Sequence, residues 1–376
     1  MIYLLYFLFI LFCAIRFDFC KSKIANQYFY AIFLLLVALA GFRYRVGTDT
    51  LVYMDEYDMS LSFIKDKYLI GWYLFIKLCR FLHLSFYSVQ FIIAIVINYG
   101  IFKFLRKNET TALFSALLLY YSLLYPGWNF EVLRQAICVS VFLLTLPLLD
   151  SGKYIKYYIL VAICCTIHET ALLLLPIPFI YKIKITKKTF RIFVVIVAGV
   201  IISAPFIRDA IFSYSLLLLP FQDKAAYYFK DVDLTENIDL LSYVFNILLN
   251  IVIPLIAIYK NINAQKYSNG FMILALVSVV TYAISTMLPM MYRLSFYFSL
   301  FSLILFIPIL EDISKWISNK KFKPIFILLL LILILFKGRT YFVEKNGTMV
   351  YMRYYPYTSI VNEVKIPQRE NFDTHD

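Results

Sequence analysis

The chain has 376 residues, 62% of them hydrophobic and only 16% charged, and its formal net charge is +13. Soluble domains do not carry such a composition, whereas repeated apolar runs of membrane-crossing length produce it. The positive charge first suggests nucleic acid, so its distribution along the chain decides what it means.

Twelve apolar runs are of a length to cross a bilayer, roughly 2–19, 26–42, 86–104, 110–126, 134–149, 154–167, 170–181, 190–204, 240–259, 270–287, 294–310 and 324–336. The first, Ile2 to Ile15, has no basic residue ahead of it and no small-residue cleavage site, so it reads as a retained helix. A further segment, 69–84, carries Lys77, Arg80 and His83 and reads as an amphipathic interfacial helix. Pro205, Pro220, Pro254, Pro289 and Pro308 sit within runs or near their ends and are expected to kink or bound helices there. Aromatics, 32 Tyr and 36 Phe, crowd the ends of the runs, as interfacial belts require. The expected architecture is therefore an all-α polytopic membrane protein with about 12 transmembrane helices and one interfacial helix, forming a single integral membrane domain over 1–376.

With the amino terminus outside, the connections alternate, and the cytoplasmic ones hold 19 lysines and arginines against five acidic residues. The outer face keeps the remaining 17 basic and 18 acidic residues. The basic excess is a topology signal, so no nucleic-acid partner is called for. In this orientation the outer face carries loops 43–85 and 205–239, the tail 337–376, and short turns at 127–133, 168–169 and 288–293. The six cysteines lack C-x-x-C spacing and indicate neither zinc nor a disulfide framework.

Four polar clusters lie on that outer face. The first is Arg43-Tyr44-Arg45-Val46-Gly47-Thr48-Asp49, with Tyr53 one helical turn beyond. Ionisable groups at the mouth of a membrane helix are functional candidates because burying them without use costs several kcal/mol each, roughly. The second is Tyr125 to Gln135, where Pro126-Gly127 breaks a helix and Asn129 is placed to cap the next. Arg134 and Gln135 then fall in a first turn that already favours an anion, and a guanidinium adds a bidentate phosphate donor. The third is His168, whose ordinary pKa lies near working pH. The fourth is Met290-Met291-Tyr292-Arg293 with Tyr297, where an arginine again meets a helix start. The tail adds Tyr351-Met352-Arg353-Tyr354-Tyr355-Pro356-Tyr357, an aromatic and basic patch for sugar rings or for lipid, the lipid being favoured. No phosphate-binding glycine loop occurs and no cytoplasmic loop has room for a nucleotide domain. Arginines, a carboxylate, a histidine and tyrosines on an outer face suit a substrate with a pyrophosphate, an oily tail and sugars.

The order Arg43-x-x-x-Gly47-x-Asp49-x-x-x-Tyr53, then Arg134-Gln135, then His168, then Arg293 four before Tyr297 resembles the EpsG family, related to Wzy-type O-antigen polymerases. The resemblance runs over roughly 26–310. It implies a GT-C-like architecture in the bacterial plasma membrane and joining of undecaprenyl-pyrophosphate-linked oligosaccharide units into exopolysaccharide, capsule or O-antigen, with a flippase and a chain-length regulator as partners beside the lipid bilayer. In that reading Arg134 and Arg293, assisted by Arg43 or Arg45, hold the pyrophosphate. Asp49 or His168 takes the acceptor proton, with Asp49 favoured and His168 orienting, and Asn129, Gln135, Tyr53, Tyr292 and Tyr297 position sugars. No organic cofactor is expected; a divalent metal on Asp49 is compatible, but no ligand cluster demands it. A flippase of the same lipid, an outer-face glycan ligase and an acyltransferase are the alternatives.

Overall fold

A computed structural model describes residues 1–18, 25–109, 112–217, 240–287, 292–317, 322–338 and 350–370. Among these residues the chain is all-helical, with one isolated antiparallel bridge, Arg43 to Ser359. It divides into two compact units, Met1–Leu175 with Ile313–Asp376, and Pro176–Asp312.

The first unit begins with α1 (Ile2–Phe17) and α2 (Ala25–Gly41). The expected outer loop then folds into three short helices, α3 (Thr48–Tyr57), α4 (Leu61–Lys67) and α5 (Ile70–Phe81). The interfacial segment expected over 69–84 is α5: Trp72, Ile76 and Cys79 recur at helical spacing on its buried side, while Leu74, Leu78 and Phe81 stay exposed. Helices α6 (Phe86–Asn108), α7 (Leu113–Leu123), α8 (Leu133–Asp150) and α9 (Tyr154–Ile167) complete the body, and the helix Phe322–Gly338 packs on α7. Ser85 caps α6 by accepting from Ser88 N–H at 3.3 Å. Its buried stripe Val89, Ile93, Ile97 and Ile101 faces α2 and α8. At Gly100 the backbones of α6 and α8 close together, since a Cβ there would lie 2.6 Å from the Ser140 carbonyl oxygen. Outward, Ile155, Ile159 and Ile163 form an exposed row along α9, a surface that suits hydrocarbon and not water.

The second unit holds the Lys187–Leu217 helix, the Leu240–Ala264 segment and Asn269–Met287, with the short helices Tyr292–Ser295 and Ser299–Ile304; the helix Phe306–Ile317 belongs to it as far as Asp312.

Every expected run falls on helix, but the count of twelve crossings is not reproduced. Among the described residues four helices are long and apolar enough to cross: Phe86–Asn108, Leu133–Asp150, Tyr243–Ala264 and Asn269–Thr286. Helices of 16 and 17 residues such as α1 and α2 reach only about 25 Å at ~1.5 Å per residue, short of a ~30 Å hydrocarbon core. The run at 170–181 is a 3₁₀ segment, Glu169–Leu174, followed by the short helix Ile177–Tyr181, with Pro176 between them. The run at 240–259 changes to a π turn at Leu248–Val252 ahead of Pro254. The loop expected from 205 is helical as far as Leu217; its remainder, 218–239, lies outside the described residues, as do Cys20, Met290, Met291 and 339–349.

Candidate functional site

The Arg43–Gly47 loop leaves α2 with a buried arginine at its base. Arg43 is 1% exposed, donates through Nη2 to Thr50 Oγ1 at 2.9 Å and through Nε to the Val46 carbonyl at 3.3 Å, and caps the Ala40 carbonyl through Nη1. Burial lowers its pKa to about 10, so it stays cationic. Thr50 hands on the connection, donating to the Phe130 carbonyl at 2.6 Å. Gly47 has φ 92°, and a Cβ there would sit 2.3 Å from that same Phe130 oxygen, so the position needs glycine on both counts. Arg45, itself at φ 51°, donates to Glu370 Oε1 at 2.6 Å and to Asp55 Oδ1 at 3.3 Å. The two arginines read as anion ligands therefore have the loop itself and the tail as their partners.

Beyond the loop, α3 carries Asp49 in its first turn, half-buried, against Glu131 of the π turn Gly127–Glu131. Glu131 Oε2 accepts from the Asp49 N–H at 2.9 Å and from Thr48 Oγ1 at 3.0 Å, while its buried Oε1 has no hydrogen-bond partner. Burial first, and the Asp49 carboxylate second, push the Glu131 carboxyl above the ordinary carboxylate range. The site thus contains a pair of carboxylates. Glu131 stands three residues before Arg134, and nothing in its sequence context singles it out; the π turn is what sets it against Asp49.

Arg134 opens α8. Its Nε donates to the Tyr53 hydroxyl at 3.0 Å, and its guanidinium lies 4.5 Å from the Tyr68 ring centroid and 5.7 Å from that of Tyr53. Asp49 acts on it electrostatically. Trp72 completes an aromatic group, 5.7 Å from Tyr53 and 6.5 Å from Tyr68 between centroids. Tyr53, Tyr68 and Trp72, with Glu56, which accepts from Tyr68 Oη and Lys67 Nζ, line a small, mostly apolar cleft between α3, α5 and α6, and Arg134 stacks on two of its tyrosines from outside that lining. The spacing Tyr68-x-x-x-Trp72, facing a first-turn arginine, is the signal that points to it.

The other expected residues stand differently. Asn129 does not cap α8, whose N-cap is Val132; its side chain closes a buried cluster, accepting from Asn98 Nδ2 at 2.8 Å and donating to Tyr120 Oη at 3.0 Å. The π turn carries it inward, where an amide must find partners or cost free energy. Gln135 is buried on α8. His168 caps the Glu169–Leu174 segment, Nδ1 accepting from the Thr170 N–H at 3.3 Å and pairing with Thr170 Oγ1 at 2.7 Å. With Nδ1 as acceptor, the neutral tautomer carries its proton on Nε2 and serves as a donor. Tyr292, Arg293 and Tyr297 belong to the second unit, where Tyr297 is fully buried and Tyr292 and Arg293 are exposed. Among the described residues no three His, Cys, Asp or Glu side chains are grouped to hold a metal ion.

No curated protein and no solved structure matches this chain. A model of the EpsG family does, over residues 26–359, a span that begins in α2, takes in the paired carboxylates, Arg134 and His168, and reaches the tail bridge at Ser359. This helical membrane protein belongs to the EpsG family.

Proposed function

We propose that the protein is a polysaccharide polymerase of glycosyltransferase type, acting at the outer face of a bacterial plasma membrane on undecaprenyl-pyrophosphate-linked oligosaccharide. Membership of the EpsG family supports a polymerase-type function in general. The lipid-linked substrate, the outer face, about twelve crossings and a GT-C-like arrangement are our reading. The observation that carries it is local: Asp49 adjoins Glu131 through its N–H, and Arg134 is held on Tyr68 and Tyr53 beside Trp72. In one step the acceptor hydroxyl oxygen bonds to the anomeric carbon of the growing chain, the carbon–oxygen bond to pyrophosphate breaks, and undecaprenyl pyrophosphate departs. The hydroxyl proton passes to Asp49, which adjoins Glu131. Arg134 offsets charge on the leaving group. Tyr53, Tyr68 and Trp72 stack on sugar rings, and His168 donates from Nε2 to orient a hydroxyl. We assign Arg43 and Arg45 to holding the loop that carries Asp49, Asn129 to holding the π turn, Gln135 to the Arg134 turn, and Arg293 with Tyr292 and Tyr297 to substrate binding in the second unit.

A flippase of the same lipid would use the arginine and need no base. Glycolipids from cells carrying Asp49→Asn, Arg134→Ala or His168→Ala at normal protein levels separate the readings. Single units accumulating at the outer face without long polymer are expected. Units held at the cytoplasmic face would mean a flippase, and unchanged polymer in all three variants would remove this site from the reaction.

A further inference from the structure

The tail residues 350–370 are joined to the site loop by more hydrogen bonds than a lipid-facing segment needs. Tyr44 N–H donates to the Thr358 carbonyl at 2.8 Å, Gly47 N–H to that of Arg353 at 2.9 Å, and Ile360 N–H to that of Phe42 at 3.0 Å. Thr358 Oγ1 returns a bond to the Tyr44 carbonyl, and Tyr357 Oη reaches the Leu39 carbonyl at 3.0 Å. Arg369 lies at the centre of this lacing, 1% exposed. Its Nη1 donates to the Arg45 carbonyl at 2.8 Å and to Thr358 Oγ1 at 3.2 Å, Nε to the Met352 carbonyl at 3.1 Å, and Nη2 to that of Pro356 at 2.6 Å. One side chain thus joins three turns of the tail to the loop. Its neighbour Glu370 pairs with Arg45. A fully buried guanidinium spent on backbone carbonyls fixes geometry, because removing it strands several acceptors at once. Both residues lie beyond the segment that matches the family model, which ends at 359.

We propose that the tail works as a strap that sets the conformation of the Arg43–Asp49 loop, with Arg369 and Glu370 as positioning residues for Asp49. Gly47, bonded to the strap at Arg353, is the N-cap of the helix that presents Asp49, so the strap acts two residues from the proposed base. The effect on turnover rests on the polymerase reading; the mechanical link does not.

The test is amide hydrogen exchange on the full chain in detergent, read beside polymer formation per folded molecule. Arg369→Gln should speed exchange at Tyr44 and Gly47 about tenfold or more, leave α6 and α8 unchanged, and lower kcat at least tenfold with KM for the lipid-linked unit held within about threefold. Thr358→Val, which removes one hydroxyl, should give a smaller change of the same kind and serves if Arg369→Gln does not fold. Unchanged exchange at Tyr44 and Gly47 in whichever variants fold would overturn the strap. So would faster exchange throughout α6 and α8, which marks general destabilisation, and so would a loosened loop with wild-type kcat in a protein that Asp49→Asn inactivates. If Asp49→Asn keeps full activity while Arg369→Gln frees the loop, the catalytic reading falls and the strap stands as a structural element.

Discussion

Arg134→Lys is the most informative single change, because it keeps the charge and removes the shape. In the wild type the guanidinium is fixed by Nε donating to Tyr53 Oη at 3.0 Å and by stacking 4.5 Å from the Tyr68 centroid. Lysine has no Nε–H and no plane, so it forfeits the phenol contact, most of the stacking and the fork that grips a phosphate through two bonds. A charge-assisted hydrogen bond contributes about 1.5–3 kcal/mol, and a partly desolvated cation–π contact about 1–2 kcal/mol. Allowing for what the ammonium regains, about 2–4 kcal/mol of transition-state stabilisation is lost. At about 1.36 kcal/mol per decade that lowers kcat/KM roughly 30- to 1000-fold. The assay is polymer formation in proteoliposomes loaded with lipid-linked units, scored by chain length and initial rate against protein content. Alanine should be as damaging or worse. Wild-type chain length in both Arg134→Lys and Arg134→Ala would refute the bidentate phosphate role.

Other changes probe neighbouring links. Glu131 has a raised folded pKa, so its contribution to stability is intact below the ordinary carboxylate range and declines as pH climbs through the raised value. Glu131→Gln should therefore gain thermal stability over wild type as pH rises from the ordinary carboxylate range, at about pH 4, through the raised value; a constant difference over that rise would contradict the assignment. Gly47→Ala meets both a left-handed φ and a 2.3 Å contact with the Phe130 carbonyl. It should cost about 2–5 kcal/mol, seen as a large drop in melting temperature or folded yield. Asn129→Leu leaves Asn98 and Tyr120 short of a buried partner. It should cost on the order of 2–4 kcal/mol in stability, and a pure rise in KM with unchanged melting would restore it as a sugar ligand. His168→Asn keeps an acceptor at the cap of Glu169–Leu174, so it should melt within about 1 kcal/mol of wild type while losing activity. Full activity would take His168 out of the site.

Much of the fold is legible because its signals are local. The spacing of Trp72, Ile76 and Cys79 is enough to set α5 on a surface, and the apolar runs coincide with helices. Crossing number is less legible, because run length in sequence ignores where proline, π turns and 3₁₀ segments shorten the helix, as at Pro176 and Pro254. The candidate site is legible at Asp49 and Arg134, where charged residues begin helices. It is not legible at Arg369, whose bond to the Arg45 carbonyl spans 324 residues and leaves no periodicity to read.

Arg43, Arg45 and Arg134 look alike in sequence, each a cation beside an apolar run, yet the fold gives them three different surroundings. The difference lies in what neutralises them. Arg45 meets two carboxylates, Glu370 and Asp55, and an anion arriving there must displace a pair already formed. Arg43 is surrounded by carbonyls, a hydroxyl and the Phe130 ring 5.3 Å away, with no exposure through which a lipid headgroup can enter. Arg134 leans on the faces and hydroxyl of tyrosines, which hold a cation in place without an ion pair of the kind Arg45 makes, and it is only partly buried. An arginine kept for an anionic substrate needs that combination of fixed geometry, retained charge and access. In the first unit Arg134 has all three, so loss of Arg134 should impair turnover with the fold intact, whereas loss of Arg43 should first appear as misfolding of the loop.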